Sequence, residues 1–126
     1  ASMRQTENLI DELDSGVVFV NFIDFDMKYG HRRDPGGYAE CLEHMDRWLT
    51  KIIPRLRESD TLILTADHGN DPIFKGSDHT REFVPLLVYQ PGVPSKELGI
   101  REGFFDLAQS VSQMFGAPPM LRGKAF

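Results

Sequence analysis

Two short apolar runs, Val17 to Ile23 (VVFVNFI) and Thr61 to Thr65 (TLILT), stand on either side of a long helical stripe. Each run is rich in β-branched or aromatic residues and too short for a helix, so each reads as a strand buried on both faces. Between them, Asp34-Pro35 is a helix start, with a carboxylate to cap free amides and a proline suited to the first turn. Tyr38, Cys41, Leu42, Met45, Leu49, Ile52, Ile53 and Leu56 then repeat on one face, and Pro54 predicts a kink or an early end. Strand, helix, strand is the order of a parallel pair joined by a right-handed crossover, hence an α/β sheet.

The flanks add three further elements. Leu9, Ile10 and Leu13 predict a short surface helix over Arg4 to Leu13, broken by Asp14-Ser15-Gly16. Val84 to Tyr89 (VPLLVY) reads as another strand, with Pro85 at an edge or an unpaired position. Phe104, Leu107, Ala108, Val111 and Phe115 mark a final helix ended by Gly116 and Pro118. Ala1-Ser2-Met3 reads as a cloning remnant. A sheet of three strands would struggle to hide two that look buried on both faces. The expected fold is therefore one incomplete α/β domain, whose other strands come from further sequence or a partner.

Composition narrows the function classes. The 126 residues are 40% hydrophobic and 26% charged, ordinary globular usage that argues against a disordered tail. With 19 acidic and 14 basic side chains the net charge is −5, which disfavours a general nucleic-acid binder. No apolar run approaches the roughly 20 residues of a membrane helix, and no secretory leader opens the sequence. The single cysteine, Cys41, excludes an intrachain disulfide and a cysteine-rich zinc site. A reducing, cytoplasmic setting is expected.

The chemistry collects where the strands end, the place where open α/β sheets build their sites. Asp24, Asp26 and His31 follow the first run, Asp67 and His68 the second, and Asp78-His79 lies in the irregular stretch beyond. Carboxylates and imidazoles together suit manganese, zinc or iron. Acidic groups packed this closely repel one another unless cations neutralise them. Two metals about 3.5–4 Å apart would do so and would also clamp a transferring phosphoryl group. Solvated loops with capping histidines are the plain alternative for any one pair, and convergence of three clusters argues against it. Lys28, Arg32, Arg33 and Arg81 lie close by and could hold phosphate or sugar oxygens, although each is also an ordinary surface base. Cys41 and His44 share a helical face, but Cys41 sits on the apolar stripe and reads as a core thiol. Gly36-Gly37 lacks the spacing and lysine of a phosphate-binding loop, and Trp48 reads as packing beside the stripe.

Asp24-Phe25-Asp26-Met27-Lys28-Tyr29-Gly30-His31-Arg32-Arg33-Asp34 resembles the DFD-x-x-YGHRRD segment of bacterial phosphopentomutases. Thr65 to Pro72 (TADHGNDP) and Asp78 to Glu82 (DHTRE) resemble two further segments of that family, and Val84 to Tyr89 follows as expected. The similarity runs from about Val17 to Phe115. Asp-His-Gly alone would indicate only the wider alkaline phosphatase superfamily; YGHRRD with DHTRE is more specific.

The resemblance implies an alkaline-phosphatase-like three-layer α/β/α sandwich, here incomplete, with two Mn2+ ions. Asp67 and His68 would bind one metal, and Asp26, His31 and His79 the other. Asp24, Arg32, Arg33 and Arg81 would serve substrate or support the ligands. The implied reaction interconverts ribose 1-phosphate and ribose 5-phosphate, or their 2-deoxy forms, through a metal-bound phosphothreonine and a bisphosphate intermediate. That threonine, another metal-binding aspartate and the cap domain lie N-terminal to these segments in a longer chain and are absent here. Thr80 does not occupy the nucleophile's motif position. The expectation is thus the C-terminal part of a phosphopentomutase core, inactive alone and needing the missing N-terminal part of its own chain. Rival readings are another phosphatase or phosphoglycerate-type mutase of the superfamily, and a non-catalytic cation-binding module.

Overall fold

The computed structural model describes residues 2–126, which form two compact units, residues 2–93 and 94–126. Helix α1 spans Ser2–Glu12 and α2 spans Pro35–Ile52; strands β1 (Leu62–Thr65) and β2 (Leu86–Tyr89) follow, all in the first unit. Helix α3, Phe104–Met114, belongs to the second.

Helix α1 is only 11 residues long, a length that is marginal in water without tertiary support. Arginines supply that support. Arg55 Nη2 donates to Glu7 O at 2.8 Å and to Asp11 Oδ2 at 2.6 Å. Arg57 donates to Leu13 O and Ile10 O, carbonyls at the helix end that have no intrahelical donor. Trp48 Nε1 donates to Glu7 Oε1 at 2.8 Å, and the Trp48 ring meets Phe22 edge-on at 5.5 Å. With Ile52, Trp48 is the buried hydrophobic core among the described residues (1% and 7% exposed).

Helix α2 begins as the Asp34-Pro35 signal predicts: Asp34 Oδ1 accepts from Gly37 N at 2.9 Å, and Pro35 fills the first turn. It ends at Ile52, where Pro54 turns the chain into a single 3₁₀ turn, Ile53–Arg55. Cys41 is half-buried in α2; burial first, and then the nearby Asp24 carboxylate, push its thiol pKa up, partly offset by Lys28.

Two expectations about the sheet are corrected. Val17 to Ile23 lacks strand pairing and is largely solvent-facing, with Phe19 90% exposed. A strand exists only through a neighbour's backbone, and this run has none among the described residues. The parallel pair expected from strand, helix, strand is absent as well among the described residues. Instead β1 and β2 pair antiparallel, from Leu62 opposite Tyr89 to Thr65 opposite Leu86. Residues Leu62 to Leu64 are half-buried rather than buried. Pro85 falls just before β2, outside the ladder where its missing donor costs nothing. The long loop between the strands folds back on itself through an isolated Gly69–Thr80 bridge. Among the described residues the first unit is thus a small α/β arrangement with one two-stranded sheet.

In the second unit, α3 carries two buried polar residues, Asp106 and Ser110. Both are satisfied: Asp106 Oδ1 accepts from Lys124 N, while Ser110 Oγ donates to Asp106 O and accepts from Phe126 N. These bonds fold the C-terminal residues back along the helix.

Candidate metal centre

Residues Phe25–Gly30 form a single π-helical turn, a form that occurs mostly as isolated turns and frequently at functional sites. Its effect here is geometric. At 3.6 residues per α-helical turn, two residues five apart point about 140° from each other. The π-turn instead closes with a bond from His31 N to Asp26 O at 3.0 Å, which stacks residues 26 and 31 on one face. Phe25 holds the turn against α2 through an edge-on contact with Tyr38 at 5.4 Å. The exit from the turn has Asp34 N bonded to Tyr29 O and Arg33 N to Gly30 O. Arg33 lies between them in the left-handed region, φ 55°, at a cost of about 1–2 kcal/mol for a residue with a Cβ.

Asp26 and His31 meet His79, which arrives from the loop between β1 and β2. The Nε2 atoms of His31 and His79 are 3.1 Å apart, and each lies 3.4 Å from Asp26 Oδ1. Nitrogen ligands about 2.1 Å from a tetrahedral metal are separated by roughly 3.4 Å, so this trio matches one face of a coordination polyhedron. The protons are arranged to suit. His31 Nδ1 lies 2.6 Å from the Ser77 carbonyl oxygen. A carbonyl only accepts, so Nδ1 carries the proton and Nε2 turns a lone pair toward the cluster, as metal-bound histidines are held.

His68 adjoins this group: its ring stacks on that of His79, with centroids 3.7 Å apart. The His68 Nδ1 atom lies 3.2 Å from Gly69 O, and its Nε2 lies 3.7 Å from Asp67 Oδ1. Asp67 is more open, with 73% of its side chain exposed. The five residues singled out as ligands therefore fall into a tight trio and an adjoining pair. The remaining candidates stand apart. Asp24 is bonded to Lys28 at 2.8 Å, a surface contact that raises the lysine pKa. Arg32, Arg33 and Arg81 are exposed.

Three contributors went unassigned in the sequence. Asn70 Nδ2 donates to Asp26 Oδ1 at 2.5 Å. Thr80 accepts from Asp71 N at 2.8 Å and donates to Glu82, fixing the loop beside His79. Ser77 supplies the carbonyl that sets the His31 tautomer. Only Asn70 and Thr80, inside the quoted motifs, had any sequence signal; a backbone carbonyl has none.

A trio of donors built from a carboxylate and two imidazoles, that of His31 oriented by a carbonyl, fits a divalent cation. The model of the Metalloenzyme superfamily matches residues 1–119, and the chain belongs to that superfamily. Within it, the chain is similar to phosphopentomutases over most of its length. The phosphopentomutase of Anaeromyxobacter sp. (strain K) is 54% identical over 114 residues, which are 90% of this chain and 29% of that protein. For that of Alkaliphilus oremlandii (strain OhILAs) the identity is 43% over 125 residues, 98% of this chain and 32% of the relative. The Edwardsiella ictaluri (strain 93-146) phosphopentomutase is 55% identical over 122 residues, 97% of this chain and 28% of the relative. The chain thus spans about 30% of the length of the curated relatives it matches.

Proposed function

We propose that residues 4–126 are the C-terminal part of the catalytic core of a cytoplasmic phosphopentomutase, which interconverts (deoxy)ribose 1-phosphate and (deoxy)ribose 5-phosphate. The observation that carries the reading is the trio of Asp26 Oδ1, His31 Nε2 and His79 Nε2, with separations of 3.1–3.4 Å, in a chain similar to phosphopentomutases. Asp26, His31 and His79 hold one Mn2+, and Asp67 and His68 hold the second. When bound, the cations offset charge on the phosphoryl oxygens and favour the alkoxide form of a hydroxyl nucleophile.

The chain's own residues orient that site. Ser77 fixes which His31 nitrogen is free, and the Gly69–Thr80 bridge draws the His68 and His79 segments together. Arg32, Arg33 and Arg81, all exposed, would meet sugar-phosphate oxygens. The nucleophilic threonine, a further aspartate ligand and the remaining layers of an α/β/α sandwich belong to the part of the protein outside this segment.

The test is made in the full-length protein. His31→Ala and Asp67→Ala should each lower mutase turnover by about 10³-fold, the several kcal/mol that a bound cation contributes, with circular dichroism unchanged. Metal analysis should find two Mn2+ per chain in the parent. Near-parental turnover in both variants, or a metal-free active protein, would reject the assignment.

A further inference from the structure

We propose that Asn70 is a positioning residue that couples the two metal positions, an inference resting on the metal assignment above. Asn70 lies two residues beyond His68, on the segment that carries Asp67 and His68, yet its side chain reaches the other set of ligands. Its Nδ2 donates to Asp26 Oδ1 at 2.5 Å, the same oxygen that stands 3.4 Å from both histidine nitrogens. A carboxylate only accepts, so the amide nitrogen faces it; with one lone pair of Oδ1 engaged, another remains for a cation. Among the described residues, no other side chain donates a hydrogen bond to Asp26. The carboxylate cannot rotate without losing that bond, and the bond cannot shift without moving the His68 segment.

A second feature of the fold points the same way. Gly30, at the end of the π-turn, is buried, and a Cβ there would overlap the Asn70 carboxamide, lying 2.5 Å from its Cγ and 2.7 Å from its Oδ1. Gly30 does not adopt a positive φ. Its lack of a side chain is therefore needed for clearance, to let the amide lie against the turn and meet Asp26.

The experiment is a double-mutant cycle on the full-length protein, titrated with Mn(II) alone and followed by electron paramagnetic resonance. This reads both the free ion and the spin-coupled pair. Asn70→Ala should weaken Mn(II) binding about 10–100-fold, the usual loss when a partner that orients a ligand is removed, and should deplete the coupled-pair signal. Gly30→Ala, which keeps Asn70 but displaces its amide, should do the same. Combining the two should be no worse than Asn70→Ala alone, because the clash disappears with the amide. His31→Ala is the reference. If it abolishes binding while Asn70→Ala, folded by circular dichroism, binds within twofold of the parent, the coupling role is overturned and the metal assignment stands. If His31→Ala also binds normally, the metal assignment itself fails. Should Asn70→Ala not fold, Gly30→Ala decides alone: weakened binding supports the role, and unchanged binding overturns it.

Discussion

A histidine presents to a cation whichever ring nitrogen its other hydrogen bond leaves bare, so a cluster of histidines becomes a site only when neighbouring groups set the tautomers. A carbonyl does this for His31, Ser77 O at 2.6 Å. The candidate ligand types were legible in the sequence because carboxylates and histidines bunch there, two clusters after apolar runs and the third in the loop beyond. Their orienting partners were not, because a backbone carbonyl looks the same in every sequence. Asp34 is the opposite case, where local chemistry is sufficient. Its carboxylate precedes Pro35 and caps Gly37 N as the pair of residues predicts. Asp34→Ala should therefore destabilise the protein by about 1 kcal/mol, read as a lower urea midpoint with an unchanged denaturant slope.

At the scale of elements, the helices were legible and the pairing of strands was not. A 3.6-residue stripe reports one face of one segment, and α2 and α3 follow theirs closely. The π-turn at Phe25–Gly30 left no such trace. A single turn has no period, and its closing bond replaces an ordinary helical bond without changing composition. Helix α1 shows how tertiary contacts complete a weak local preference. The Arg55–Asp11 ion pair is largely exposed and contributes little, so the bond from Arg55 to the Glu7 carbonyl is the stronger tether. Arg55→Ala should raise the hydrogen-exchange rates of the α1 amides by about tenfold, the loss of roughly 1.4 kcal/mol from one charge-assisted bond. The amides of β1 and β2 should keep their protection. Equal acceleration in all elements would mean that α1 does not open as a separate unit.

On the scale of the whole molecule, the amount of unburied apolar surface dominates. Phe19, Phe83 and Ile100 are each more than four-fifths exposed, while Trp48 and Ile52 are the buried hydrophobic core of the described residues. Surface of this kind favours association. The purified 126-residue chain should sediment as a concentration-dependent mixture, bind Mn2+ weakly and show no mutase turnover. A well-behaved monomer that turns over pentose phosphates would contradict both the reading of the site and the reading of the chain as part of a larger core. Among the described residues no helix is long and apolar enough to cross a membrane.

By itself the sequence determined the positions of α1, α2, α3, β1 and β2 to within a few residues, and the residue types at the candidate site. Each depends on spacing, capping or chemical identity within a short stretch of chain. Only the tertiary structure decided that β1 takes β2 antiparallel, that Val17 to Ile23 stays unpaired among the described residues, and that His31 closes on His79 across 48 residues of sequence, with Asp26 beside them. Pairing and convergence are relations between distant segments, fixed by which backbones and side chains can reach one another, and no local pattern encodes a distance.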